Sequence, residues 1–188
     1  MSFRNRSEIA GPHGLITLSI PLVNGRDQKT VLKEVRIRDE HPWRAQHWKT
    51  LQSCYNRSPW FDFFREGLEG LYKRPAQFLL DWNLSCFEWS LNVLGRPLAW
   101  SLTDEYKKDY DPKEWIDWRG RVLPKNRSTG VPAEAKTEGP GNAIMGMPAD
   151  PIKYRQVFEE RTGFIPNLSI LDLLFCEGKR AATVLCPA

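Results

Sequence analysis

Histidine and cysteine are scarce in this chain of 188 residues, which contains three histidines and four cysteines. His13, His41 and His47 lack the spacing of zinc ligands, and no H-E-x-x-H motif occurs. No C-x-x-C pair is present either, so the cysteines are expected to be buried thiols rather than a zinc knuckle or a disulfide framework. The sequence therefore predicts no metal site.

The usual phosphate-binding and hydrolase motifs are also missing. No G-x-G-x-x-G follows a strand, no G-K-S/T closes a phosphate loop, and no G-x-S-x-G elbow occurs. No apolar run reaches the about eighteen residues of a membrane span, and the N-terminus lacks the apolar core of a secretory signal. We therefore expect a cytoplasmic protein without membrane insertion, and the sequence leaves its cofactor and oligomeric state unknown.

The composition is that of an ordinary globular protein apart from its eight tryptophans. Hydrophobic residues make up 41% and charged residues 27%, and the length favours a single domain over residues 1–188. The net charge of +4 permits an anionic ligand without requiring a nucleic acid.

Alternating apolar residues predict two strands near the N-terminus. In residues 15–22, Ile16, Leu18 and Ile20 share one face of a half-buried strand. A turn at residues 24–25 is followed by a second alternating segment, residues 31–37. We expect the two strands to pair antiparallel.

The hydrophobic period changes from 2 to about 3.6 beyond Pro42, which predicts helices. Ser58 is predicted as the N-cap of a second helix, a third helix is expected over residues 75–94, and residues 97–102 resemble a short strand. The inner face of the first helix is predicted to comprise Trp43, His47, Leu51, Cys54 and Tyr55.

The last third of the chain contains a Gly/Pro-rich loop and an apolar helix. Residues 126–151 are too rich in glycine and proline to fold alone, whereas residues 167–177 predict a helix buried nearly all round, with Gly178 at its end. The fold class is therefore α/β or α+β, a single domain in which a small, mainly N-terminal sheet is packed by several helices.

The buried helix carries a polar stripe of Ser169, Asp172 and Cys176, spaced i, i+3 and i+7. A buried carboxylate needs partners, because leaving its charge unpaired costs several kcal/mol or more. Asp172 is expected either to bind an arginine or backbone amides structurally or to point into a pocket.

Polar residues elsewhere allow similar alternatives. His47, on an apolar helix face, is either a general base or a core imidazole bonded to a neighbouring strand. Arg4, Asn5 and Arg6 either hold a phosphate or carboxylate or are merely solvated. The tryptophans near Arg119 either stack nucleic-acid bases or form the edge of the core.

An ordered set of segments resembles the WbqC-like protein family from about residue 3 to residue 185. The segments are F-R-N-R-S-E-I-A-G-P-H-G, L-S-I-P-L, W-R-A-Q-H-W-K-T-L, C-Y-N-R-S-P-W-F, W-I-D-W-R-G-R-V-L-P-K, Y-R-Q-V-F and G-F-I-P-N-L-S-I-L-D-L-L-F-C-E-G. P-N-L-S-I-L-D-L-L-F is the most specific of them. Family members usually have a further segment ahead of R-N-R, so the chain is expected to be short at its N-terminus, and its loop over residues 126–151 is longer than expected.

The resemblance implies a role in bacterial O-antigen and other surface-polysaccharide biosynthesis. An acyl or aminoacyl transfer to a nucleotide-linked amino sugar is the expected activity, with the nucleotide sugar or another anionic small molecule as ligand and an acyl donor or aminoacyl-tRNA as the second substrate. His47 and Asp172 are the expected catalytic residues. The residues carried over as substrate-binding are Arg4, Asn5, Arg6, Tyr55, Ser58, Arg119, Lys125, Tyr154, Gln156, Asn167, Ser169 and Glu177.

An alternative from another class is a non-catalytic accessory protein that docks onto a polysaccharide-modifying enzyme. The eight tryptophans favour this interpretation, since tryptophan is enriched at interface hot spots. Binding of a charged tRNA through arginine and tryptophan is a third interpretation, and it requires a strong dependence on salt.

Overall fold

The described part of the chain combines one β-hairpin with six α-helices. The structure is a computed structural model that describes residues 4–24, 30–111, 113–117 and 151–185. Of the class expected from the sequence, the α+β alternative is observed. The elements are β1 (Arg6–Gly11), β2 (Gly14–Ser19), α1 (Trp43–Tyr55), α2 (Phe61–Lys73), α3 (Leu79–Val93), α4 (Glu159–Thr162), α5 (Ile170–Glu177) and α6 (Ala181–Leu185), with 3₁₀ turns at Leu32–Glu34 and Gly178–Arg180.

The hairpin contains the predicted strand and a second strand that the sequence did not reveal. β1 and β2 pair antiparallel with Ile9 opposite Ile16, and Ile9 is fully buried. Arg6 is the first residue of β1. β1 escaped prediction because Ser7 and Ala10 do not extend the alternation of apolar residues that identifies a half-buried strand.

The prediction of a second strand over residues 31–37 is wrong. A 3₁₀ turn occupies its middle, and a single antiparallel bridge joins Leu22 to Ile37. Pro21 has no N–H to continue the ladder beyond β2, although its carbonyl accepts the Arg38 N–H at 2.9 Å. The segment therefore packs beside the hairpin without extending its sheet.

The inner face predicted for α1 is confirmed. The helix buries all five expected side chains, because residues spaced by three, four and seven positions fall on one side. The next helix begins later than predicted. Trp60, not Ser58, is the N-cap of α2, and the Ser58 hydroxyl donates to the Tyr55 carbonyl at 2.7 Å, where it closes α1.

The third helix is shorter at its start than residues 75–94. α3 begins at Leu79, whose N–H donates to the Val35 carbonyl at 2.9 Å, so the residues before it are extended against the neighbouring segment. Gly95 follows the helix with a φ of 62°, as expected of a residue that ends one. Residues 97–102 are exposed and form no strand, so that prediction is wrong.

The helix predicted over residues 167–177 is present but begins at Ile170. Asn167 has a φ of 57°, a left-handed conformation that places it in the preceding turn, and Ser169 is the N-cap. Phe175 is fully buried, and Gly178, with a φ of 55°, follows the last helical residue.

Two groups of buried apolar side chains form the core. One lies between the hairpin, α1, α2 and α5, and the other lies between α1, α3 and the segment after β2. Tyr72 and Cys86 pack against both groups, so the two are continuous. Among the described residues, no helix has the length and apolar character needed to cross a membrane.

Candidate functional site

A cavity of about 310 Å³ opens where the hairpin, α1, α2, α3 and the start of α5 meet. This volume is near the lower end of the range for small-molecule sites. The lining has an apolar, aromatic part from the helices and a polar part from the segment that leads into β1. The lining residues are Arg4, Asn5, Arg6, Ser7, Leu18, Ile20, His47, Leu68, Leu71, Tyr72, Trp82, Asn83, Cys86, Phe87, Trp89, Ser90, Ser169, Ile170 and Leu171.

The segment Arg4, Asn5 and Arg6 is fixed beside the cavity by hydrogen bonds to its backbone. The Asn5 side-chain amide donates to the Ile20 carbonyl, and the Ile20 N–H donates to the Asn5 carbonyl, both at 2.9 Å. The Asn83 side-chain amide on α3 donates to the Arg4 carbonyl at 2.9 Å. Two half-buried arginines therefore border the cavity on a backbone held from both sides.

His47 brings an imidazole from α1 into the same lining. Its Nε2 N–H donates to the Ser19 carbonyl of β2 at 3.2 Å, because a carbonyl oxygen can only accept. Burial lowers the pKa of His47 below 6.5, and the bond to Ser19 opposes this shift in part. The ring is therefore held neutral, with the lone pair on Nδ1. His47 is therefore a core imidazole that is bonded to a strand, and it also lines the cavity.

The lowered pKa of His47 makes the stability of the protein depend on pH. Because the pKa of His47 is lower in the folded protein, the unfolded chain binds the proton more tightly. The contribution of His47 to stability is therefore fully present above pH 6.5 and is lost as the pH falls through the pKa of the folded state. We expect the wild type to lose more free energy of unfolding between pH 8 and about pH 5 than His47→Gln does. Urea unfolding at both pH values measures the difference. Equal losses in the two proteins would show that His47 does not titrate in this way.

Ser169 joins the cavity to the hairpin. Its N–H donates to the Glu8 carbonyl of β1 at 2.7 Å, and its hydroxyl oxygen accepts the Leu171 N–H at 3.4 Å as the cap of α5. The start of α5 is thus fixed against β1, and the polar stripe begins at the cavity wall.

Asp172 is fully buried and lies in a separate cluster with Tyr55, which is also fully buried, and the half-buried Tyr154. The Tyr55 hydroxyl donates to one carboxylate oxygen at 2.5 Å, and the Tyr154 hydroxyl donates to the other at 2.7 Å. The Tyr55 oxygen also accepts the Ala10 N–H at 3.1 Å. The carboxylate therefore joins α5 to α1, to β1 and to the segment before α4, through tyrosine hydroxyls rather than the arginine or backbone amides that the sequence suggested.

The electrostatics of this cluster follow from its burial. Desolvation raises the pKa of Asp172, although the hydrogen bonds from the two tyrosines favour the carboxylate and oppose the shift. The pKa values of Tyr55 and Tyr154 are also raised, first by burial and then by the neighbouring charge of Asp172. Both hydroxyls consequently remain protonated donors. Asp172 is not among the residues that line the cavity.

The other carried-over residues in the described part of the chain lie mainly outside the cavity. Gln156 is buried, and its side-chain amide exchanges two hydrogen bonds with the backbone of Ile165, at 2.7 and 2.8 Å. Asn167 is exposed in the turn before α5, and Glu177 forms an ion pair with Arg180 at 3.8 Å. Gln156 thus fixes the chain that leads into α5. Arg119, Lys125 and residues 126–150 of the predicted loop lie outside the described residues.

One wall of the cavity was not anticipated from the sequence. α3 contributes Trp82, Asn83, Cys86 and Ser90, whose spacing places them along one side of the helix. Asn83 and Ser90, polar residues on the same side of this helix as Trp82, are the sequence signal that could have revealed this wall. Burial raises the pKa of the Cys86 thiol to about 12, so the thiol is protonated at neutral pH and adds an uncharged side chain to this wall.

The cavity combines two permanent cations, a neutral imidazole and an apolar interior. Such a set can bind an anion, accept a proton and exclude water. Within residues 4–24, 30–111, 113–117 and 151–185, no group of three or more His, Cys, Asp and Glu side chains is placed to hold a metal ion.

Comparison with known proteins identifies a family. Residues 1–184 of the chain match the WbqC-like protein family. No curated protein and no solved structure matches the chain significantly.

Proposed function

Because this chain belongs to the WbqC-like protein family, we propose that it is a cytoplasmic transferase that adds an acyl or aminoacyl group to a nucleotide-linked amino sugar during assembly of a bacterial surface polysaccharide. The observation that supports this proposal is one cavity bordered by Arg4, Arg6 and a neutral His47. The reaction class comes from the family resemblance, and the cavity offers the groups that such a reaction needs.

The arginines are the proposed binding groups for the diphosphate of the nucleotide sugar. A guanidinium presents several N–H donors in a planar fork that matches phosphate oxygens, and its charge persists at every physiological pH. The fixed backbone of Arg4 and Asn5 reduces the entropy lost on binding. Arg119 and Lys125 are proposed to add further cations, and Ser169 is a proposed hydroxyl contact in the lining.

His47 is the proposed general base. Its neutral Nδ1 accepts a proton from the sugar amine while the amine nitrogen attacks the carbonyl carbon of the donor. A new C–N bond forms, the bond from the carbonyl carbon to the leaving group breaks, and the imidazolium returns the proton to that leaving group. The hydrogen bond to Ser19 holds the ring in the required tautomer.

Asp172 has a positioning role in this proposal. Through Tyr55 and Tyr154 it fixes α5 against α1, and Gln156 fixes the chain that precedes α5. Both effects place Ser169 and the end of the cavity next to β1. A displacement of about 1 Å at a reacting centre is enough to reduce rates strongly.

Titration of the purified chain with UDP- and dTDP-linked amino sugars tests the proposal. We expect saturable binding that is weakened more than tenfold by Arg4→Gln combined with Arg6→Gln, because each charge-assisted bond contributes about 1.5–3 kcal/mol. Arg96→Gln removes an exposed arginine that does not line the cavity and is the matched control. With an acyl donor, His47→Gln is expected to reduce kcat by about 10²–10⁴. Absence of saturable nucleotide-sugar binding would refute the transferase proposal.

Exposed aromatic side chains support the second candidate function, that of an accessory protein. Phe63, Tyr106 and Trp115 are 60%, 81% and 59% exposed, which is unusual for such large side chains. A stable enzyme partner captured from cells, together with full polysaccharide production by a His47→Gln strain, favours this candidate over the transferase.

A further inference from the structure

The polar side chains inside the cavity are already hydrogen-bonded to backbone groups. Each of five lining residues makes one such bond, so one of its donors or acceptors is engaged before any ligand arrives. These residues are Asn5 with Ile20, His47 with Ser19, Asn83 with Arg4, Ser90 with Cys86 and Ser169 with Leu171.

The buried remainder of the lining is apolar. Leu18, Leu68, Leu71 and Trp82 are each at most 7% exposed. The other polar groups are the Tyr72 hydroxyl and the half-buried segment Arg4, Arg6 and Ser7 at one side. A sugar ring enclosed here would meet few groups able to pair with its several hydroxyls, and each hydroxyl left unpaired costs about 1–3 kcal/mol. The interior therefore suits a hydrocarbon group better than a sugar.

The volume of the cavity also favours a hydrocarbon group as its occupant. About 310 Å³ is close to the minimum of about 300 Å³ for small-molecule pockets, so the cavity encloses a part of the two reactants and not both. The arginines lie on the side from which β1 starts, and most of the remaining lining residues are apolar. A ligand with an anionic or carbonyl head and a hydrocarbon tail complements this division.

We propose that the cavity receives the acyl group of the donor as an aliphatic chain, with its carbonyl at the side bordered by Arg4, Arg6 and His47. This inference rests on the proposed transfer and specifies that its donor carries a hydrophobic acyl group rather than a polar aminoacyl group. The nucleotide sugar then binds at the arginine side, and its amine meets the carbonyl there.

Straight-chain carboxylates from butanoate to decanoate are the probes, measured by isothermal titration calorimetry on the full chain. Affinity is expected to rise roughly threefold to fourfold per methylene until the cavity is filled, because each buried CH₂ prefers an apolar site by about that factor. A flat response to chain length would overturn the inference. Tighter binding of free amino sugars than of decanoate would also overturn it.

Two serines on α3 provide a matched pair of variants. Ser90 and Ser85 each donate to the carbonyl four residues earlier, at 2.8 and 2.9 Å, but only Ser90 lines the cavity. Ser90→Leu fills the cavity and is expected to weaken decanoate binding more than tenfold, whereas Ser85→Leu leaves it unchanged. Equal affinities of the two variants would contradict an acyl site in this cavity.

Nucleotide-sugar titrations on the same proteins separate this inference from the proposed function. Wild-type protein that binds UDP-amino sugars but no carboxylate would overturn the acyl site and leave the transferase proposal intact. Chain-length-dependent carboxylate binding without nucleotide-sugar binding would support the acyl site and refute the proposed acceptor.

Discussion

Replacing Asp172 by alanine is expected to lower the free energy of unfolding by about 3–5 kcal/mol. The carboxylate is fully buried and accepts hydrogen bonds from Tyr55 and Tyr154. Its removal leaves the buried Tyr55 hydroxyl without its acceptor, at about 1–3 kcal/mol, leaves the half-buried Tyr154 hydroxyl without one at a smaller cost, and opens a small void. Urea unfolding followed by tryptophan fluorescence measures the loss. A variant within about 1 kcal/mol of the wild type would show that the cluster is not a major stabilising contact.

Tyrosine variants separate the two bonds of this cluster. Tyr154→Phe removes one donor and leaves Asp172 with the Tyr55 hydroxyl, so it is expected to cost less than Asp172→Ala. In a double-mutant cycle, Tyr154→Phe should have little further effect once Asp172 is alanine, because the two groups act on each other. Asp172→Asn keeps the shape of the side chain and tests whether geometry or charge dominates.

The helices were the part of the fold that the sequence predicted best. On α1, apolar residues at helical spacing decide by themselves which side is buried, and Trp43, Leu51 and Tyr55 were expected there. Strands depend on their partners instead. β1 is a strand because β2 pairs with it, whereas residues 31–37 contain a 3₁₀ turn and meet the segment after β2 only at the bridge of Leu22 to Ile37.

The candidate site was predictable in composition but not in arrangement. The apolar surroundings of Asp172 implied burial and a need for partners. Its partner Tyr55 lies 117 residues away in sequence, and periodicity carries no information on such pairs. Likewise, His47 and the segment from Arg4 to Arg6 were singled out separately, and only the fold brings them to one cavity.

Gly178→Ala is expected to destabilise the protein by about 3–5 kcal/mol. Gly178 has a φ of 55° and a ψ of −124°, a region almost reserved for glycine, which costs another residue about 1–3 kcal/mol. A Cβ at this position would also overlap the indole ring of Trp60. The backbone N–H of Trp60 donates to the Phe175 carbonyl at 3.1 Å. The start of α2 is therefore held against the end of α5, and the indole cannot move away freely from Gly178. Overpacking of this kind adds about 1–3 kcal/mol.

Two other glycine variants, measured by urea unfolding like Gly178→Ala, separate its backbone cost from its packing cost. Gly163 has a φ of 71°, and a Cβ added there would meet no atom within 4 Å outside its chain neighbours, so Gly163→Ala reports the backbone cost alone. Gly70 lies inside α2 in open space, and Gly70→Ala is expected to stabilise by about 0.5–1 kcal/mol because alanine favours helix. The excess of Gly178→Ala over Gly163→Ala is the cost of contact with Trp60. If the two variants lose equal stability, packing of the indole on Gly178 does not hold α2 against α5.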